Sequence, residues 1–314
     1  MKPSTKTRAL DALSQLVGQP VGAVDTPALV IDLDAMQRNL QRMAEFARKH
    51  HVRWRPHAKT HKSASIARRQ MHDGAVGVCV QKTAEAEALA AGGVTDIYIS
   101  NEVIAPHKLA RVAELAHALA ADGGQLAIAV DSAEGVARLA QAMNDARHRH
   151  GKPAVIDVFV EIDVGQGRCG VPPGEPAVRL VHDVRKHPAL RFAGLQAYHG
   201  TAQHLRGPEE RRQAIARVVE HVALTRTLIE RQGVAVCQFL QQRHTSRGVF
   251  ADKRQHSLPG YFAVPLPQRV RKFASVGGRE IFPHRRFHAG SDVWSGTRVS
   301  TTLNSAGMSI GLVR

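Results

Sequence analysis

Apolar and polar positions along this chain follow two periods that alternate. Residues 26–33, TPALVIDL, form a short apolar run, and Met36, Leu40, Met43 and Phe46 then recur at helical spacing to about residue 50. The run reads as a buried strand, with Asp34 capping the helix that follows. The alternation continues with strands over 52–55, 76–80, 96–100, 126–130, 155–162 and 192–197. Helices follow them over 63–71, from Thr83, over 106–121, from 131–132 to about 147, over 176–185 and over 208–232. Short links between apolar strands and amphipathic helices predict parallel strands joined by crossover helices. Six such units after the first pair favour a (β/α)8 barrel over a doubly wound sheet.

In such a barrel the chemistry collects at the C-terminal ends of the strands. Here those ends carry Lys59, Gln81, Asn101, Asp131, Arg168 and Tyr198-His199. Loops are polar in any fold, which accounts for part of this ring. Lys59 lies within RPHAKTHK at 55–62, where four basic side chains crowd it. Like charge disfavours a charged amine, and a neutral amine is what Schiff-base chemistry needs. Taken alone, such a run reads more readily as a solvated basic loop; its place at a strand end points to chemistry.

GQGRCG at 165–170 matches the form GxGxxG, but Pro172-Pro-Gly174 follows, so no helix opens where a dinucleotide would need one. A glycine turn exposing Arg168 at a barrel mouth fits better. Among 18 histidines there is no HExxH, and His284 and His288 have a metal-like spacing without a third ligand. His199 sits at a strand end, where its ring can serve as a general base. Three scattered cysteines, Cys79, Cys169 and Cys237, point to a reducing compartment. The first 20 residues lack the hydrophobic region of a signal peptide, and no apolar run is long enough for a membrane span, so a cytoplasmic location is expected. The net charge is +16, yet residues 241–314 hold 12 Lys/Arg against 3 Asp/Glu, so +9 of it lies in the last quarter.

Six segments together carry a resemblance: DTPALVID at 25–32, RPHAKTHK at 55–62, VQK at 80–82, ISNE at 99–102, EIDVGQGRCG at 161–170 and GLQAYHG at 194–200. Over about residues 24–236 the chain resembles the D-threonine aldolase and D-serine dehydratase family. That resemblance implies a barrel of the alanine racemase N-terminal type that binds pyridoxal 5′-phosphate (PLP), with Lys59 carrying the cofactor. It also implies Arg168 near the pyridine nitrogen, Tyr198 beside the cofactor, Gln81 and Asn101 lining the pocket, and His199 or His204 at the substrate hydroxyl. The implied reaction is cleavage of a β-hydroxy-D-amino acid to glycine and an aldehyde, a carbon–carbon lyase activity. A divalent metal, manganese, is implied as Lewis acid, and pairing as a homodimer is implied as well.

The resemblance stops near Cys237. Where the family has a glycine-rich segment of the TGGGTG kind for the PLP phosphate, this chain reads QFLQQRHTSRGV at 238–249, and the family's metal ligands have no counterpart in it. The expected organisation is a leader over 1–23, a PLP-binding barrel over 24–237 and a divergent basic tail over 238–314 replacing the usual β domain. A shift of coding frame near residue 237 accounts for the lost loop, the arginine excess and the fading periodicity together. The alternatives are a D-serine dehydratase or racemase-like enzyme on the same scaffold, an inactive remnant, or a basic protein binding nucleic acid through the tail. The tail has few aromatics and no recognisable nucleic-acid motif, so nucleic acid is not expected as a partner; a small D-amino acid is.

Overall fold

The structure, a computed structural model, describes residues 15–236 and the backbone of two strands near the C-terminus, Val299–Leu303 and Ser309–Val313. It divides into two compact units, residues 1–39 with 262–314 and residues 40–261. Apart from those two strands, the divergent tail lies outside the described residues.

In the first unit, strand β1 (Leu29–Asp32) pairs in parallel with Ser309–Val313, which pairs antiparallel with Val299–Leu303. The expectation of a buried first strand fails here. Leu29 and Val30 are exposed, and β1 belongs to this three-stranded sheet. An apolar run specifies a strand but not its partner, so the assignment to the barrel sheet did not follow from periodicity. The helix after it, Leu33–Lys49, has Asp34 inside its first turn. Asp32 takes the capping role, its Oδ1 accepting the Ala35 N–H at 2.8 Å.

The second unit holds a five-stranded parallel sheet of β2 (Val78–Val80), β3 (Asp96–Glu102), β4 (Gln125–Val130), β5 (Ile156–Glu161) and β6 (Leu190–Gln196), in that order. Every neighbour in the sheet is a neighbour in sequence. A doubly wound sheet reverses its strand order at a switch point; this one never does, as expected of a barrel-type α/β fold. Helix Ala64–His72 leads into β2, crossover helices Thr83–Ala91, Pro106–Ala121, Ala133–His150 and Glu175–Arg185 link the five strands, and Pro208–Arg231 follows β6. Apart from the first pair, each predicted strand–helix unit from 76 onward is present within a few residues.

The segment predicted as a strand at 52–55 pairs farther along. Trp54 O accepts the Val76 N–H, Pro56 O accepts the Cys79 N–H, and the Ala58 N–H donates to Cys79 O, with a single bridge between His57 and Cys79. Pro56 has no N–H to give to a ladder, which limits the pairing to this short stretch.

Alternation sorts the strand side chains onto two faces. Val78, Val80, Ile97, Ile99, Leu126, Ile128, Ile156, Val158 and Val160 pack with the helices in the main core. Cys79, Tyr98, Ala127, Ala129 and Phe159 form a second, smaller cluster with no helical residue in it. That face leads to the C-terminal edge, where the polar groups stand.

Candidate active site

Lys59 lies exposed in the turn after the His57 bridge. Its backbone N–H donates to His57 Nδ1 at 3.2 Å, which assigns the ring proton of a neutral His57 to Nε2, 3.4 Å from Ser100 Oγ. Burial, then the Lys59 charge, lowers the pKa of His57 to about 4. Burial also lowers His61 to about 4, and its Nδ1 accepts the Ser63 N–H at 3.1 Å. Arg55, with only 5% of its side chain exposed, pairs with Asp96 at 2.6 Å, and Lys62 stands 3.3 Å from Glu85. The expected crowd of four cations around Lys59 is therefore absent from the fold. Two of the neighbours are neutral histidines and the other two are ion-paired.

Gln81 follows β2, its backbone N–H donating to Glu85 Oε2 at 2.9 Å and its side chain bonding to His57. Asn101 is half-buried within the irregular register between Ile99 and Glu102 of β3.

The glycine turn after β5 is organised by Asp163. Its Oδ1 accepts the N–H groups of Gly165 at 2.9 Å and Gly167 at 3.1 Å, and these bonds, Gly167 first, hold its carboxyl below the usual range. Gly170, at φ +101°, lies so close to the chain that a Cβ there would stand 2.6 Å from Asp163 N. The turn presents Arg168 with its guanidinium 5.4 Å from the Tyr198 ring centroid. His199 packs against Gly165 and its Nδ1 lies 3.2 Å from Thr201 Oγ1, while His204 is exposed at the end of the 3-10 helix Gly200–His204. Arg168, Tyr198 and His199 are thus brought to one side of the mouth, and Lys59, His57 and Gln81 to another.

Beneath them lies a polar chain missing from the sequence expectations. The Tyr98 hydroxyl donates to Gln196 Oε1, and Gln196 Nε2 donates to Glu161 Oε2. All three side chains are buried. Burial, then the bond to Glu102, pushes Glu161 up to about 9. The signal was legible: a glutamate ending the apolar strand IDVFVE must find a partner in a dry place.

One group of three metal-ligand side chains occurs among the described residues, Glu102, Asp131 and Cys169, with candidate atoms within 4.8 Å of one another. Asp131 Oδ2 already accepts the Gly170 N–H at 3.1 Å, Glu102 bonds to Glu161 and Cys169, and the Arg168 charge acts on Glu102 and Cys169. The three side chains are part of the hydrogen-bond network around the glycine turn.

The model of the family described as alanine racemase, N-terminal domain, matches residues 31–237. The chain belongs to that family. It is 43% identical over 218 residues to a D-threonine aldolase from Arthrobacter sp., covering 69% of this chain and 55% of that protein. A 3-hydroxy-D-aspartate aldolase from Paracoccus denitrificans is 37% identical over 221 residues, covering 70% and 54%. The crystal structure of D-threonine aldolase from Filomicrobium marinum matches with a TM-score of 0.65 at 47% identity, over 70% of this chain and 56% of that one. The resemblance to D-threonine aldolase is borne out. The chain spans about half the length of the curated relatives it matches. No helix among the described residues is long and apolar enough to cross a membrane.

Proposed function

We propose that this member of the alanine racemase N-terminal domain family is a PLP-dependent lyase of the D-threonine aldolase type, cleaving β-hydroxy-D-amino acids to glycine and an aldehyde. The observation that carries the proposal is the guanidinium set over a phenol ring in the turns after β5 and β6, with an exposed primary amine in the turn that bridges to β2 of the same sheet. An exposed amine suits the aldehyde of PLP, and a guanidinium beside an aromatic ring suits a flat, electron-poor heterocycle. The glycine segment that the resemblance gives to the phosphate would fall after residue 236, outside the described residues. When bound, PLP supplies the electron sink for the broken Cα–Cβ bond.

The chain's own residues then divide the work. Lys59 holds the cofactor, on a turn whose backbone is fixed by neutral His57. Arg168 would face the pyridine nitrogen of the bound group, Tyr198 would lie beside it, and Gln81 and Asn101 would line its pocket. His199 takes the proton of the substrate hydroxyl. A divalent metal, manganese, would assist at that hydroxyl; the ligands implied for it fall in the C-terminal part. We also propose a cytoplasmic location and a homodimer.

The test is a PLP titration of the full chain, followed by the visible band of lysine-bound cofactor, with Lys59→Ala alongside. The expected result is a saturable band that borohydride fixes and that the variant lacks. Aldehyde release from a β-hydroxy-D-amino acid, with and without manganese, then reads the activity. Release of a keto acid and ammonia in place of aldehyde would assign a dehydratase. No band from folded protein would overturn the proposal.

A further inference from the structure

Three hydrogen bonds join the end of β2, Ser100 of β3 and the turn that carries Lys59. Ser100 is 3% exposed, and its hydroxyl donates to the Val80 carbonyl at 3.2 Å, just past the last β2–β3 pair, Val80 with Ile99. A hydroxyl has one proton. With that proton committed to Val80, Ser100 Oγ can only accept from His57 Nε2, which lies 3.4 Å away. On the other side of the ring the Lys59 backbone N–H, which can only donate, reaches Nδ1 at 3.2 Å. Both contacts require the same ring, neutral, with its proton on Nε2 and a lone pair on Nδ1. The Gln81 side chain also bonds to this ring. An amide offers both a donor and an acceptor, so Gln81 follows the state of the ring and does not set it.

The backbone on either side of Lys59 is tied to backbone. Pro56 O accepts the Cys79 N–H at 2.8 Å, the Ala58 N–H donates to Cys79 O at 2.7 Å, and the Lys62 N–H donates to Ala58 O at 2.8 Å. The Lys59 N–H lies between these ties and bonds to a side chain. A His57 ring with its proton on Nδ1 would set two N–H groups against each other and push the Lys59 backbone away.

We propose that Ser100 is a positioning residue for Lys59 and acts through His57, fixing the tautomer whose Nδ1 holds the Lys59 backbone N–H. The strand pair β2–β3 thereby sets the turn from which the amine projects. The consequence for cofactor uptake rests on the role proposed for Lys59; the tautomer and the backbone bond do not.

The first measurement is ring-nitrogen NMR of the cofactor-free full chain, labelled at its 18 histidines, with His57→Asn identifying the His57 signals by their loss. At neutral pH wild type should carry the His57 proton on Nε2, and Ser100→Ala should show a mixture of both tautomers. A proton on Nδ1 in wild type, or one unchanged tautomer in both chains, would overturn the proposal.

The second measurement is amide exchange at Lys59. Ser63 serves as internal reference, because its N–H makes the same kind of bond to His61 Nδ1, at 3.1 Å. Loss of one neutral hydrogen bond corresponds to about fivefold. Exchange at Lys59 should quicken about fivefold in Ser100→Ala while Ser63 stays as in wild type. In His57→Asn it should remain near wild type, since an asparagine Oδ1 can take the N–H two residues on. Adding Ser100→Ala to His57→Asn should change nothing further at Lys59. Equal quickening at Lys59 and Ser63 would mean a loosened fold, and the proposal falls. It falls too if Ser100→Ala acts as strongly in the His57→Asn chain as in wild type.

The third is the rate at which borohydride-fixed PLP accumulates on Lys59, expected to drop about fivefold in Ser100→Ala. An unchanged rate would overturn the link from Ser100 to the amine. If wild type itself takes up no PLP, the functional proposal fails alone, and the tautomer and exchange measurements still decide the role of Ser100.

Discussion

His57 and His61 flank Lys59 by two residues on either side, and both are held neutral by burial, with pKa values near 4. A base whose pKa is lowered in the fold binds fewer protons than in the unfolded chain between that value and about 6.5. Stability is therefore full above about 6.5 and is lost as pH falls through about 4. For His61 the loss is at most about 3 kcal/mol, and it is smaller for His57, which water reaches more easily. His61→Asn keeps an acceptor for the Ser63 N–H but cannot be protonated in this range. Its urea midpoint relative to wild type should rise as pH is lowered from 7 to 4.5, and a constant difference would show that His61 is not neutral in the fold. Counting basic residues in RPHAKTHK suggested crowded positive charge. Which of them are buried, and that Asp96 and Glu85 sit opposite the others, depends on residues far along the chain and is not visible locally.

At the scale of elements, the glycine turn after β5 is the part of the site most dependent on backbone. Gly170→Ala would place a Cβ 2.6 Å from Asp163 N and 2.7 Å from Ile162 C at a φ of +101°. Neither neighbour is a flexible side chain, so the cost should be about 2–3 kcal/mol. Urea unfolding measures it, and a change below about 0.5 kcal/mol would mean that the turn rearranges freely. Strands and helices from β2 onward were legible because hydrophobic period and capping residues agree there. Ser63 and Ser132, each before a periodic run, accept the N–H of Ile66 and Gly135. The ring of polar residues at strand ends was legible too, since it follows from parallel topology. Three things were not. The partner of β1 is a tertiary choice. Pro56 shifts the pairing beside β2 away from 52–55. The chain Tyr98–Gln196–Glu161 joins three strands far apart in sequence, though a lone glutamate in an apolar strand marked one end of it.

For the whole molecule, the change in sequence near residue 237 remains to be explained. The family match ends there, the glycine-rich segment expected for a phosphate is replaced by QFLQQRHTSRGV, and 12 Lys/Arg against 3 Asp/Glu follow from 241 onward. A shifted reading frame changes all three at once, whereas a genuine replacement module must acquire each separately. We therefore expect one of the other two frames of the gene, read downstream of codon 237, to encode a glycine-rich segment and then a histidine-bearing β-rich sequence. If neither frame does so, the tail is a module in its own right and the shift is wrong. The repaired chain gives an independent check. Backbone amides around a phosphate contribute several charge-assisted hydrogen bonds, each about 1.5–3 kcal/mol. PLP should then bind the repaired chain at least about a hundredfold more tightly than the present one. Equal affinity would mean that the phosphate is held by residues before 237.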